Sequence, residues 1–143
     1  MWCICVSLGR PPRARPAPCT TLSRSSEPWV ETASESDPGL ISAGAQGFTK
    51  CKACHQVGEG AKKRIGPVLN NIIGNPAGAS AGFKYSKAMT SAADAGLIWD
   101  AANIGQFLAK PKAFLKGTKM SFSGLKKQSD IDAIIAYLRT FDQ

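Results

Sequence analysis

The most regular pattern of apolar positions lies near the C-terminus. Four apolar residues there are spaced i, i+3, i+4 and i+7: Ile131, Ile134, Ile135 and Leu138. This spacing places them on one face of an α-helix, which predicts a closing helix packed against a core. Ser129, followed three residues later by Asp132, resembles a capping box with Asp where Glu or Gln is usual, and it predicts the start of this helix.

Two further segments have helical character. Apolar and small residues between Leu40 and Phe48 predict a helix that runs on to residue 51. A third helix is predicted after Asp100, which is a suitable N-cap. Its apolar residues are Ile104, Phe107 and Leu108. Pro111 is expected to end it, because proline lacks the amide N–H that a helix interior needs. The pattern therefore predicts an all-α domain with long loops.

Residues 1–38 differ from the rest of the chain. They are rich in proline, arginine, serine and threonine and have no amphipathic period, which is typical of a disordered tail or of a processed or misassigned leader. The apolar opening from Trp2 to Leu8 is too short to span a bilayer, and no later segment has the length of a transmembrane helix. Residues 39–143 are predicted to form one domain. A domain of this size has a marginal core, so a buried cofactor would add much of the apolar contact it needs.

The charge belongs to the predicted domain. The chain has 18 Lys and Arg against 10 Asp and Glu, a formal net charge of +8. The charges of residues 1–38 cancel: Arg10, Arg13, Arg15 and Arg24 against Glu27, Glu31, Glu35 and Asp37. A basic domain is typical of nucleic-acid binding, but no helix-turn-helix, zinc finger or aromatic stacking motif accompanies it. We therefore expect no nucleic-acid partner.

Residues 51–55 read Cys-Lys-Ala-Cys-His, and C-x-x-C-H is the attachment signature of c-type haem. The two thiols add to the two vinyl groups of one porphyrin, and the histidine that follows presents its imidazole to the iron. A zinc site would need four ligands, and the remaining cysteines, Cys3, Cys5 and Cys19, all lie in the tail. A redox-active dithiol would be expected within a βαβ pattern, which is absent. The motif therefore favours one covalently attached haem c.

His55 is the only histidine in the chain, so a second histidine cannot ligate the iron. The thioethers available are those of Met1, Met89 and Met120. Met120 follows Gly117 in a segment without helical periodicity, and a loop of this kind favours it as the sixth ligand. The alternative is an open sixth position, as in a haem enzyme or gas sensor.

The segment from about Gly44 to Leu138 resembles the class I c-type cytochromes, the family of mitochondrial cytochrome c and its small bacterial relatives. Beside the haem motif, the landmarks that carry the resemblance occur in the family's order: Gly44, Phe48, Gly66-Pro67-Val68-Leu69, Gly82-Phe83-Lys84-Tyr85, Trp99, Pro111-Lys112, Gly117-Thr118-Lys119-Met120 and Ala136-Tyr137-Leu138. The resemblance implies the cytochrome c fold, in which the first and last helices cross closely and long loops wrap around one haem. Gly44 would permit that crossing, with Phe48 and Tyr137 packed beside it.

The resemblance also implies roles for individual residues. Met120 would be the sixth ligand of the iron, opposite His55. The carbonyl of Pro67 would accept a hydrogen bond from the His55 imidazole. Tyr85 and Trp99 would reach a haem propionate.

Three positions depart from the family's pattern. Asn75 stands where an Arg beside a propionate is common, and Met89 stands where a propionate-side Asn is common. Lys116 replaces the proline that usually precedes Gly117-Thr118. None of the three is expected to touch the ligands of the iron, but each bears on the reduction potential or on the rigidity of the loop.

Lysines cluster in sequence around the haem elements. They are Lys50, Lys112, Lys116, Lys119, Lys126 and Lys127, besides Lys52 within the motif itself. Such a cluster can be an ordinary solvated surface. Family members dock through a basic ring around the exposed haem edge, so the resemblance implies that these lysines steer the protein to acidic partners.

The predicted function is that of a one-electron carrier and not an enzyme, with no small-molecule substrate. Electrons would pass through the haem edge near Phe122 and the lysines. The donor would be a membrane complex of the quinol–cytochrome c reductase type, and the acceptor a cytochrome oxidase or a photosynthetic reaction centre. We expect a monomer in a bacterial periplasm, with the mitochondrial intermembrane space as the alternative.

Overall fold

The computed structural model describes residues 37–142, so the prediction for residues 1–38 lies almost entirely outside the described residues. Five α-helices follow one another in this range: α1 (Pro38–Gly47), α2 (Lys87–Asp94), α3 (Ala101–Ala109), α4 (Pro111–Phe114) and α5 (Gln128–Arg139). A 3₁₀ turn, Phe48–Lys50, continues α1 to the haem motif. Within residues 37–142 the only extended pairing is an isolated bridge between Pro76 and Ile98, which agrees with the predicted all-α class.

Side-chain caps set the starts of two predicted helices. The Gly39 N–H donates to Asp37 Oδ1 at the start of α1 (2.7 Å). The Asn103 N–H donates to Asp100 Oδ1 at the start of α3 (2.7 Å), as predicted. Each cap satisfies an amide that has no partner within its own helix.

The capping box predicted for the last helix is wrong. Helix α5 begins at Gln128 after Lys127, which provides no side-chain cap, so Ser129 lies inside the first turn. The Asp132 carboxylate instead accepts a hydrogen bond from Gln128 Nε2 (2.8 Å). The Asp132 side chain therefore lies along the helix surface and does not cap the helix. The first turn is stabilised by the buried isoleucine face and by Asp130, which lies near the positive end of the helix dipole.

Helix α2 was not predicted, because its sequence is mostly small and polar. Ser86 caps it by accepting from the Met89 N–H (3.2 Å), and this serine is the sequence signal that could have identified the helix start. Pro111 ends α3 as expected and also begins α4, since proline is well suited to the first position of a helix.

Helices α1 and α5 cross with direct backbone contact. A Cβ atom added to Gly44 would lie 2.0 Å from the carbonyl oxygen of Ala133, so only glycine fits there. The Phe48 side chain, 1% exposed, packs beside the crossing with its ring centroid 5.4 Å from that of Tyr137. The crossing implied by the resemblance is confirmed.

The predicted apolar face of α5 is buried. All four residues of the pattern, Ile131, Ile134, Ile135 and Leu138, belong to one core cluster with Phe48 and residues of α3. An aromatic group extends this core toward the loops: Phe107 lies 5.1 Å from Trp99 and 5.9 Å from Phe114, measured between ring centroids.

Backbone hydrogen bonds fix the long loop between the 3₁₀ turn and α2. The Gly74 N–H donates to the Trp99 carbonyl (2.8 Å), and the Trp99 N–H donates to the Asn75 carbonyl (2.9 Å). Nearer the motif, the Asn70 side chain bonds both the N–H and the carbonyl of Gly58 (2.8 and 2.9 Å). The loop is therefore ordered without forming a sheet.

The longest described helix has 12 residues, and none of the described helices combines the length and apolarity that a bilayer crossing requires.

The helix crossing leads to a prediction that compares two glycines. Gly44→Ala should lower the free energy of unfolding of the haem-loaded protein by about 1–3 kcal/mol or more, because the helices must separate to admit the methyl group. Gly105→Ala, in α3, should be neutral or stabilising by up to about 1 kcal/mol, since its Cβ would meet the nearest atom at an ordinary 3.6 Å. Urea denaturation measures both changes, and equal destabilisation of the two variants would contradict the close crossing.

Candidate haem site

A cavity of about 570 Å³ lies between the helices and the loops, within the size range of cofactor sites. Its walls come from α2, α3 and α5, from the loop after the haem motif and from the loop before α5. Phe107, Leu108, Ile134 and Leu138 give it an apolar interior. An apolar cavity of this size suits a large flat cofactor, because burial of apolar surface stabilises the complex.

The cysteines and the histidine of the motif all line this cavity. A tight turn after the 3₁₀ segment brings them together: the Cys54 and His55 N–H groups both donate to the Cys51 carbonyl (3.0 and 2.8 Å). Both cysteine side chains are half-buried. Burial raises the pKa of the Cys51 thiol, and the Lys50 ammonium opposes this shift. A protonated thiol brings no charge into the cavity.

The His55 imidazole is fixed by the backbone around it. Its Nδ1 lies 2.8 Å from the Pro67 carbonyl oxygen, the hydrogen bond that the resemblance implied. A carbonyl can only accept, so the proton resides on Nδ1 and the lone pair of Nε2 is left for a metal. Burial lowers the pKa of His55, while the bond to Pro67 acts in the opposite direction. The neutral imidazole that a metal requires is therefore favoured.

Gly66 forms the surface against which the imidazole packs. A Cβ atom at this position would lie 2.3 Å from His55 Cε1, so the ring occupies the space that a side chain would fill. The Gly66 N–H also donates to the Cys54 carbonyl (2.9 Å), which ties this segment to the motif. Contacts within the protein therefore suffice to hold the histidine in one orientation.

Both methionines of the described range line the cavity, Met120 from the loop before α5 and Met89 from α2. The Met120 N–H donates to Thr118 Oγ1 (3.3 Å), whereas the Met89 N–H is part of a helix cap. A position in the cavity wall therefore does not by itself show which of the two methionines would bind the iron. An imidazole with a thioether is one of the ligand pairs of haem iron, so the donor set fits the cofactor.

Tyr85 and Trp99 also line the cavity. The Tyr85 hydroxyl oxygen accepts from the Ser80 N–H (3.2 Å), which leaves its own proton available for an acceptor inside the cavity. Asn75 lines the cavity as well, and its side-chain amide donates to the Asn71 carbonyl. These groups supply polar contacts in a mostly apolar site.

The six lysines of the predicted ring are all exposed, but they differ in their relation to the cavity. Lys50 and Lys119 line it, and the Lys119 ammonium lies 3.5 Å from the Tyr85 carbonyl oxygen. The other four, Lys112, Lys116, Lys126 and Lys127, do not line it. Ile65, a cavity-lining residue that is 78% exposed, was not predicted from the sequence.

The cavity, the thiols, the oriented imidazole and the thioethers fit a covalently bound haem. Residues 41–142 match the family model described as cytochrome c. The chain belongs to the cytochrome c family. Its cofactor is accordingly one covalently attached haem c, as residues 51–55 predicted, and its fold is the predicted cytochrome c fold.

Similar proteins include bacterial cytochromes that are named cytochrome c2 or cytochrome c-550. Cytochrome c2 from Afifella marina is 52% identical over 103 residues, which cover 72% of this chain and 83% of that protein. Cytochrome c-550 from Ancylobacter novellus is 48% identical over 99 residues, covering 69% of this chain and 92% of that protein. The solved structure of cytochrome c2 from Rhodospirillum centenum matches with a TM-score of 0.69 at 36% identity, over 72% of this chain and 98% of that one.

The attachment motif leads to a direct prediction. Replacing both Cys51 and Cys54 by serine should leave no haem on the polypeptide after acid–acetone extraction, because no thioether bond can form. Cys19→Ser makes the same chemical change outside the motif and should leave the haem bound. Haem staining of a denaturing gel measures both. Stain retained by the double variant would contradict attachment at this motif.

Proposed function

We propose that this chain is a one-electron carrier that shuttles electrons between respiratory or photosynthetic redox complexes. The observation that carries the proposal is the joint position of His55 and Met120 on the walls of one apolar cavity, beside the attachment thiols. When bound, haem c supplies a reversible couple between ferric and ferrous iron.

In this proposal the His55 imidazole and the Met120 thioether would both bind the haem iron. The Nε2 lone pair of His55 is directed by the Pro67 hydrogen bond. Met120 lies in the loop that follows Gly117 and lines the same cavity. If both residues bind the iron, a peroxide or a gas would have to displace one of them, so the alternative of a haem enzyme or sensor is not favoured. Two fixed ligands also keep the rearrangement that accompanies electron transfer small.

Tyr85 and Trp99 are proposed to hold a carboxylate of the cofactor. Both residues line the cavity, and the Tyr85 hydroxyl has a proton to donate because its oxygen already accepts from Ser80. Hydrogen bonds to an ionised carboxylate are among the stronger ones in proteins, and they would hold that carboxylate in the cavity.

The six lysines are proposed to dock acidic redox partners. The net charge of +8 favours attraction over distance, and Lys50 and Lys119 lie at the cavity itself. We propose a donor of the quinol–cytochrome c reductase type and an acceptor of the oxidase or reaction-centre type, with the carrier a monomer. The similar proteins described above are bacterial, which supports a bacterial periplasm as its location.

The ligand assignment is tested by comparing the two cavity methionines. Met120→Ala should abolish the sulfur-to-iron charge-transfer band of the oxidised protein and lower the midpoint potential by roughly 100 mV or more, since axial ligands shift haem potentials strongly. Met89→Ala removes the same thioether from α2 and should leave the band in place. Absorption spectra with a potentiometric titration measure both variants. If the two variants behaved the other way round, Met89 would be the ligand.

The docking surface is tested by charge reversal. Changing Lys112, Lys119 and Lys127 together to Glu should slow association with a cytochrome oxidase at least about tenfold at low salt, because steering accounts for gains of that size or more. Added salt should slow the wild type as well, since the Debye length shrinks to about 10 Å at 0.1 M.

Lys87→Glu is the single-site control for the charge reversals at the ring. Lys87 is exposed at the first position of α2, where a carboxylate also suits the helix dipole, so folding should not suffer. Stopped-flow measurements against ionic strength compare it with each single ring variant. Equal slowing by Lys87→Glu and Lys119→Glu would mean that net charge alone attracts the partner.

A further inference from the structure

The segment that follows α5 makes a turn with a defined backbone. Thr140 Oγ1 donates to the Tyr137 carbonyl (2.7 Å), and the Phe141 N–H donates to the Leu138 carbonyl (3.0 Å). Bonds of this kind satisfy carbonyl groups that the last turn of a helix leaves without a partner. The two residues after the helix are therefore fixed to it, whereas segments at the ends of domains are poorly ordered unless they are tied down.

The Phe141 ring joins the end of α5 to the loop that follows the haem motif. Its centroid lies 5.1 Å from that of Tyr137 in an edge-to-face arrangement, which is favourable for aromatic pairs. Tyr137 in turn packs on Phe48 beside the helix crossing. A Cβ atom at Gly58 would lie 3.6 Å from Phe141 Cε1, so the ring lies beside the backbone of the loop.

The backbone of the same segment holds the loop further along the chain. The Phe141 carbonyl accepts from the Asn71 N–H (3.2 Å). The Asp142 carboxylate accepts from the Ile73 N–H. Burial raises the pKa of this carboxyl, whereas the Ile73 N–H and the Arg139 guanidinium act in the opposite direction. Consecutive residues after α5 therefore bind alternate amides of the loop.

Asn71 makes its contact from an unusual backbone conformation. Its φ of 53° lies in the left-handed region, and among the described residues other than glycine only Asn71 has a positive φ. Asparagine tolerates this region better than most residues do. A residue in such a conformation nevertheless persists only where its surroundings hold it. The bond to the Phe141 carbonyl is one such restraint, so its loss should let the loop move.

The loop held in this way forms part of the cavity wall. Asn71 and Asn75 both line the cavity, whereas Phe141 does not. Trp99, another residue of the wall, is bonded to the same loop through the Gly74 N–H (2.8 Å) and the Asn75 carbonyl (2.9 Å). This part of the wall is therefore held in place both by Trp99 and by the segment after α5.

We propose that Phe141 is a positioning residue for the haem, because its ring and its carbonyl hold the loop at residues 71–75 in place as a wall of the cavity. A closed wall keeps water away from the cofactor. Water stabilises the ferric form more than the ferrous form, since the ferric iron carries one more positive charge, so a closed wall raises the reduction potential. Phe141 thus acts on the potential through the loop and without contact with the cofactor.

The test measures the haem-loaded protein by potentiometric titration and the reduced protein by hydrogen exchange followed by NMR. Phe141→Ala should lower the midpoint potential and speed exchange of the Asn71 amide at least about tenfold, because the loop opens to solvent more readily. Phe141→Tyr keeps the ring, so its potential should equal that of the wild type and its Asn71 exchange should stay within about twofold. Phe141→Leu loses only the aromatic pair and should show both changes at a smaller size. It provides the same test if Phe141→Ala does not retain haem.

Ile135→Ala is the control that separates positioning from a loss of stability. Ile135 lies in α5 and is 7% exposed, but it does not line the cavity. Its truncation should lower the free energy of unfolding, because a buried side chain is lost, and should leave the midpoint potential unchanged. An equal fall in potential in Ile135→Ala and Phe141→Ala would overturn the proposal, since lower stability alone would then explain it. So would an unchanged potential in Phe141→Ala with faster exchange confined to the last turn of α5, because Phe141 would then stabilise only the helix end.

The failure of this inference is distinguishable from failure of the carrier function. Neither measurement involves a redox partner, so the results for Phe141 do not depend on which complexes the protein serves. A wild-type protein that exchanges electrons with neither a cytochrome oxidase nor a quinol–cytochrome c reductase would overturn the carrier function alone. Normal electron exchange in the wild type, with the same potential in Phe141→Ala, would overturn only the role of Phe141.

Discussion

The direct backbone contact between α1 and α5 at Gly44 and Ala133 is the constraint on which the rest of the structure depends. It brings the 3₁₀ turn and the attachment cysteines to one side of α5, while Ile134 and Leu138 of α5 form part of the cavity wall. A side chain at residue 44 would separate the helices and, with them, the motif from the cavity. The fold and the cofactor site therefore share one close contact.

The site itself is organised by backbone groups of the loops. Gly66 leaves room for the His55 ring, and the Pro67 carbonyl sets its tautomer and orientation. The same short segment presents the exposed, cavity-lining side chain of Ile65, so the residues that orient His55 also fix the backbone at Ile65. Precision at the site thus comes from a loop tied down by specific hydrogen bonds, and regular secondary structure supplies the apolar walls.

Two departures from the family's pattern occur within the cavity wall. Asn75 and Met89 both line the cavity, and the resemblance to the class I c-type cytochromes implies that they stand where an arginine and an asparagine are common. An arginine at residue 75 would oppose the extra positive charge of ferric iron, so we expect Asn75 to favour the oxidised state. Met89 makes its part of the wall less polar. Both changes adjust the surroundings of the cofactor and leave the attachment motif intact.

The sequence by itself determined the cofactor and most of the helices, because these depend on local spacing. The C-x-x-C-H run identifies haem attachment without a fold, and the i, i+3, i+4, i+7 isoleucine pattern identifies α5 and its buried face. The predicted capping box failed because the side chain of Asp132 had two possible partners, and only the folded helix chooses between them. Helix α2 was missed because it is short, its residues are mostly small or polar, and none of them is buried. Tertiary structure alone decided that Gly66 cradles His55, that both Met89 and Met120 reach the cavity, and that the exposed side chain of Ile65 lines it. These relations join residues far apart in sequence or depend on the path of a loop, and no local pattern encodes either.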